Sequence, residues 1–159
     1  MSYPFHFLPR PIYAAVWTLR NRLVTLRYKG SNFTCPICQT SLDRYMPFHG
    51  ADDNPTCPRC RTRRRHRFYW YYLNQVSTLF KTEHKRVLHL SPEYYLERIF
   101  QRRLGEAYVP AGYDDPWVKK TLDLNRSDEP EESYDVIICN HVLEHVPDDL
   151  KAMREIRRM

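Results

Sequence analysis

Two cysteine pairs constrain this chain more than any other feature: Cys35-Pro-Ile-Cys38, then eighteen residues, then Cys57-Pro-Arg-Cys60. Each pair presents two thiolates from one tight turn, and two such turns at this separation match a four-cysteine zinc signature. Four sulfurs at ~2.3 Å complete a closed tetrahedron around Zn²⁺, so the ion would be structural, with no open position for chemistry. A stretch this short cannot bury enough apolar surface to fold alone, and the metal supplies the missing free energy. The expected zinc ribbon covers residues 31–63, with Cys35, Cys38, Cys57 and Cys60 as ligands. Gln39 and Arg61 stand where such knuckles commonly carry glycine. Between the knuckles, 42–49 can supply strand residues, and Gly50-Ala-Asp-Asp-Asn-Pro55 reads as a loop.

Paired spacing for four of the five cysteines fits metal binding in a reducing compartment better than a disulfide framework, so cytoplasm is the expected location. The fifth, Cys139, reads as a small apolar strand residue. Hydrophobic content of 42% suffices for a packed core, and a net charge of +6 favours an acidic partner or surface. No apolar run is long enough to span a bilayer, and the proline-bearing N-terminus lacks the pattern of a secretory signal. Four glycines in 159 residues exclude a glycine-rich ligand loop.

Residues 1–30 read as an irregular arm followed by an amphipathic helix. From Ile12 to Lys29, Ile12, Ala15, Val16, Leu19, Leu23 and Leu26 fall on one side, with Arg20, Arg22, Arg27 and Lys29 supplying charge. Two readings compete: a helix lying on an anionic membrane with Trp17 and Tyr13 at the headgroup boundary, or one packed on the protein itself. The second is the commoner use of such a helix and is favoured. After Cys60 come Arg61, Arg63, Arg64, Arg65, His66 and Arg67, then five aromatics, Phe68 to Tyr72. Arginines beside rings fit phosphates and unpaired bases. The favoured alternative to nucleic acid is a linking helix within 64–84 whose Phe68, Tyr72, Val76, Leu79 and Phe80 face the core.

The rest, 85–159, alternates strand and helix, giving an α/β fold class with a parallel sheet. Expected strands are Val87 to Leu90, Glu106 to Val109, Lys120 to Leu124 and Val136 to Cys139. A helix runs from Pro92 or Glu93 to Arg103, and another places Leu150, Met153 and Ile156 on one face. Asn140 and His141 sit at the carboxyl end of the fourth strand, where ligands bind in open α/β sheets. His141-x-x-Glu144-His145 also matches an inverted zinc-peptidase pattern. That chemistry needs both histidines on one face of a sustained helix, and Pro147 follows at once.

The stretch "YDVIICNHVLEHVPDDLKAMREI" resembles the fourth-strand region of class I S-adenosylmethionine (SAM) dependent methyltransferases. "VLHLSPE" resembles the first-strand turn of a type 11-like subgroup that also carries a paired-cysteine ribbon and an Arg-His-Arg helix. Where most of the family has an acidic residue and a glycine-rich turn, this chain has His89, Ser91, Pro92 and Glu93. The resemblance implies a three-layer, Rossmann-like half-domain with strand order 3-2-1-4 that transfers SAM's methyl group to an unidentified acceptor. It places His89, Ser91 and Glu93 near the methionyl part, Asp114 or Asp115 near the ribose, Asp123 near the adenine and Asn140 near the sulfonium. Because imidazole titrates near neutrality, His141 or His145 is a candidate base toward the acceptor; the favoured alternative is that both are turn residues with satisfied hydrogen bonds. The alternative function is a non-catalytic ribbon module that binds nucleic acid or protein. The sequence stops at Arg157-Arg158-Met159, inside the helix after the fourth strand. A truncation or fragment is therefore expected, with weak cofactor binding and self-association through an exposed fourth strand.

Overall fold

A computed structural model of the chain describes residues 9–48, 51–81, 86–113, 118 and 120–159, with backbone alone for 51–54. The chain divides into two compact units, the first ending at Ser77 and the second running Thr78–Met159.

The first unit opens with helix α1, Arg10–Leu26, started by Pro9 at its N-cap and Pro11 in its first turn, where a missing N–H costs nothing. Strand β1 (Lys29–Thr34) leads into the first cysteine pair and β2 (Ser41–Leu42) returns antiparallel to it. A Cβ on Gly30 would lie 2.6 Å from the Asp43 Cα, so only glycine lets the two strands approach this closely. Strand β3 (Met46–Phe48) pairs antiparallel with β4 (Ala51–Thr56), which leads into the second cysteine pair. The segment read as a loop, Ala51 to Pro55, is thus a strand. Pairing with β3 overrides the turn propensity of Asp52, Asp53 and Asn54.

Helix α2, Arg64–Gln75, belongs to this first unit. Its start is closed by His66, whose Nδ1 accepts from the Arg63 N–H at 3.1 Å. The inward face is His66, Trp70 and Leu73. The expected core face is therefore wrong for this helix. Phe68 is 73% exposed and Tyr72 49%, because aromatics fill both sides of α2 and periodicity cannot tell which side is inward. Leu79 is buried and the Phe80 ring meets Phe100 at a tilt, their centres 5.4 Å apart, both within the second unit.

The second unit is a three-layer α/β arrangement around a parallel sheet. Its strands are β5 (Val87–Leu90), β6 (Tyr108–Gly112), β7 (Lys120–Thr121) and β8 (Val136–Cys139), in spatial order β7-β6-β5-β8. All three pairings are parallel. Central β5 is buried along its whole length, as a strand covered on both faces must be. Among the described residues, β8 pairs with β5 and with no other strand. The second strand starts later than expected because Gly105–Ala107 form a 3-10 turn. On one face, His89 meets Phe100 of helix α3 (Tyr94–Leu104) and Tyr108 of β6. On the other, Leu88, Leu90 and Ala111 share a core with Leu122, Leu124, Tyr134, Ala152 and Met159. Helix α4, Asp149–Arg158, is capped by Asp148, whose Oδ1 accepts from the Lys151 N–H at 2.8 Å. It packs through Ala152 and Ile156, whereas Leu150 and Met153, expected on that face, are exposed.

Candidate metal centre and ligand edge

The four cysteines converge. Their sulfurs all lie within 4.8 Å of one another, with Cys35 to Cys60 at 3.8 Å and Cys38 to Cys57 at 3.7 Å. Four thiolates ~2.3 Å from one Zn²⁺ would stand about 3.8 Å apart, so the spacing fits a tetrahedral metal centre. Cys35, Cys57 and Cys60 are buried. Crowding pulls the Cys35 thiol well below its ordinary range, chiefly through hydrogen bonding from Cys38, then Cys57 and Cys60. It pushes Cys57 and Cys60 up, first through their contacts with Cys35. Four sulfurs this close, three of them buried, cannot all become thiolates without a cation among them. The donor set suits a metal.

Each knuckle is built the same way. Gln39 and Arg61 adopt φ of 55° and 61°, the left-handed conformation that glycine usually supplies. Their N–H groups donate to the Cys35 and Cys57 carbonyls, both at 2.8 Å. The Cys35 N–H donates to the Thr40 carbonyl at 3.0 Å, and the Cys57 N–H to the Thr62 carbonyl at 2.9 Å. The Thr40 hydroxyl lies 3.2 Å from the Cys38 sulfur and the Thr62 hydroxyl 2.9 Å from the Cys60 sulfur. Sequence reasoning missed these threonines. The signal was there, in the repeat Thr34-Cys-Pro-Ile-Cys-Gln-Thr40 and Thr56-Cys-Pro-Arg-Cys-Arg-Thr62.

Much of the basic run serves this centre. Arg67 donates to the Thr62 carbonyl at 3.0 Å and the Pro55 carbonyl at 3.1 Å, with its guanidinium 4.1 Å from the Tyr45 ring centre. Arg63 lies over Phe48, 4.5 Å from the ring centre. Burial lowers the Arg61 pKa and the Arg20 charge lowers it further, while Cys57 works the other way. These cations suit a centre where four thiolates would outweigh a divalent ion.

The second candidate site is the carboxyl edge of the parallel sheet. Leu90 is in register with Cys139, so the residues that follow, Ser91 and Asn140, emerge side by side from β5 and β8. Both strands turn sharply there through non-glycine residues in left-handed backbone: Ser91 at φ 46° and His141 at φ 54°. Such backbone persists only where its surroundings hold it, and it concentrates at functional sites. The Ser91 N–H donates to the Ala111 carbonyl at 2.7 Å, tying this turn to the end of β6. Glu93 stands at the N-cap position of α3 directly after it. Asp123, two residues beyond β7, has its Oδ1 fixed by the Asn125 N–H at 2.8 Å. Asn140, His141 and His145 are exposed. His141 Nδ1 lies 3.0 Å from Glu144 Oε1. The contact with His141 helps hold the Glu144 carboxyl below its usual range, after the larger effect of its own backbone N–H.

Two predicted residues stand apart. His89 is 1% exposed, with Nδ1 2.9 Å from the Tyr108 hydroxyl, so its ring is part of the packed core rather than the ligand edge. Burial lowers its pKa to about 4. Asp114, with Asp115, lies outside the described residues. The peptidase pattern fails: Leu143–His145 form a single 3-10 turn and His141 precedes it in left-handed backbone, so no helix aligns the two histidines. Among the described residues the four cysteines are the one cluster suited to a metal.

Residues 75–159, more than half of the chain, match the family described as a methyltransferase domain. The chain belongs to the class I SAM-dependent methyltransferases. No curated protein and no solved structure matches it. Ser91, Asp123 and Asn140 follow strands of the parallel sheet at its carboxyl edge, the general place for ligands in open α/β sheets. The methyltransferase match begins at Gln75, the last residue of α2, so it covers the second unit and leaves the four-cysteine centre outside it.

Proposed function

We propose that this methyltransferase holds SAM across the carboxyl ends of β5, β6, β7 and β8 and methylates a nucleophilic O, N or C acceptor. SAM supplies a methyl group on a sulfonium: the acceptor would bond to the methyl carbon in line as its carbon–sulfur bond breaks, and S-adenosylhomocysteine would leave as the neutral thioether. The chain's own residues contribute mainly position. Ser91 and Glu93 bind the methionyl end, where a carboxylate suits its ammonium group. Asp123 accepts from the adenine amino group and Asp114 from the ribose. Asn140 orients the sulfonium end, and His141 or His145 takes the proton released by the acceptor. The four cysteines hold a structural Zn²⁺, which fits a reducing, cytoplasmic setting.

The observation that carries this reading is the Leu90–Cys139 register, which sets Ser91 beside Asn140 at adjacent strand ends. The alternative, a nucleic-acid module, is weakened by the use of Arg63 and Arg67 inside the first unit. Asp123→Ala and Asn140→Ala should each weaken SAM affinity by about tenfold, the effect of losing one hydrogen bond to a charged or polar ligand group. Equilibrium binding of SAM to the wild type and both variants tests this. Unchanged affinity in both would remove SAM from this edge.

A further inference from the structure

Helix α1 turns its apolar stripe outward. Tyr13 and Asn21 are its buried residues, with Trp17 and Val24 partly buried beside them. Ile12, Val16, Leu19, Leu23 and Leu26 recur at helical spacing on the opposite side and are 39–68% exposed. This overturns the favoured expectation that the stripe packs on the protein itself. It also moves Tyr13 and Trp17 from the outer boundary to the inward face. A continuous apolar stripe over four turns is far from a scatter of single exposed residues.

Charge identifies what covers it. On a helix wheel Arg20 and Arg27 border the stripe on one side and Arg22 on the other. The chain has no aspartate or glutamate before Asp43, whereas Arg10, Arg20, Arg22, Arg27 and Lys29 all fall in that span. An apolar strip with cations on both flanks matches a surface whose apolar interior lies beneath an anionic layer. That is the interface of an anionic bilayer. Among the described residues, no helix is long and apolar enough to cross a membrane, so α1 would lie in the plane of the surface.

We infer that α1 docks the protein peripherally on an anionic lipid bilayer, with Leu19 and Leu23 at the centre of the inserted stripe and Arg20, Arg22 and Arg27 at the headgroups. This inference is independent of the methyltransferase reading, because α1 lies outside the matched residues.

The test is sedimentation of the full, reduced, zinc-loaded chain with vesicles of phosphatidylglycerol and phosphatidylcholine in equal parts, against phosphatidylcholine alone. The wild type should pellet with the anionic vesicles and do so less as salt rises. Leu19→Asp/Leu23→Asp should cut binding about tenfold or more, and Arg20→Glu/Arg22→Glu should cut it comparably. These side chains are exposed, and retained zinc in each variant checks that the first unit is folded. Ile12→Ser/Leu26→Ser supplies a second stripe variant if the aspartates disturb the helix. Three results would overturn the inference: no pelleting of the wild type with anionic vesicles, binding indifferent to the stripe variants, or a wild-type dimer that those variants convert to monomer. The last would make the stripe a protein interface.

Discussion

Replacing Cys57 with Ser is expected to strip the metal from the first unit and unfold residues 29–62, the largest effect any single substitution should have in this chain. The centre lies where β1 and β4 each deliver a knuckle, and both pairings are short, so little else holds the segment together. Structural zinc in small cysteine sites is worth roughly 10–16 kcal/mol in apparent binding free energy at neutral pH, as much as the whole stability of an ordinary domain, about 5–15 kcal/mol. Loss of one of four thiolates also leaves the other three sulfurs, Cys35 and Cys60 among them buried, without their cation. Metal analysis should find about one zinc per wild-type chain and none in Cys57→Ser. Cys139→Ser should keep the metal, since Cys139 sits in β8 of the other unit. Freshly prepared, reduced wild-type protein without zinc would end this part of the account.

Acid should destabilise the second unit through His89. The ring is wholly buried against Phe100 and Tyr108, and burial lowers its pKa from 6.5 to about 4, with the Glu93 charge opposing only in part. In the unfolded chain the same histidine titrates near its ordinary value, so between these two pH values the unfolded state binds more protons. The stabilisation is fully present above pH 6.5 and is lost as pH falls through 4. The shift corresponds to roughly 3 kcal/mol. Urea unfolding of the second unit at neutral and acid pH measures it. His89→Leu, although it removes the contact between His89 and the Tyr108 hydroxyl, should lose about 3 kcal/mol less than wild type on acidification. Equal losses in both would place the acid sensitivity elsewhere.

Sequence patterns recorded the second unit well where both faces of an element are constrained. β5 and β8 have the bounds read from their apolar runs: β5 is buried along its whole length, and β8, only partly buried, carries the same short run of β-branched residues. Tertiary context decided what was missed. Gly105–Ala107 wind into a 3-10 turn that delays β6, and Asp52 to Pro55 extend because β3 is there to pair with. Aromatics on every side of α2 hid its inward face, and Ala152, too small to mark a hydrophobic stripe, is the residue α4 buries. At the metal centre the ligands were legible from spacing alone. The left-handed backbone at Gln39 and Arg61 was legible only as a departure from glycine. At the ligand edge, nothing in the sequence distinguished inward-facing His89 from exposed Asn140, since the face of a strand end depends on register.

The central claim is that the carboxyl edge of the β7-β6-β5-β8 sheet is a SAM site. Calorimetric titration of SAM into the purified, reduced chain tests it most directly. The account predicts saturable, one-to-one binding that S-adenosylhomocysteine competes away and that Asn140→Ala weakens. Titration without saturation in a chain that retains its zinc and its cooperative unfolding would contradict it.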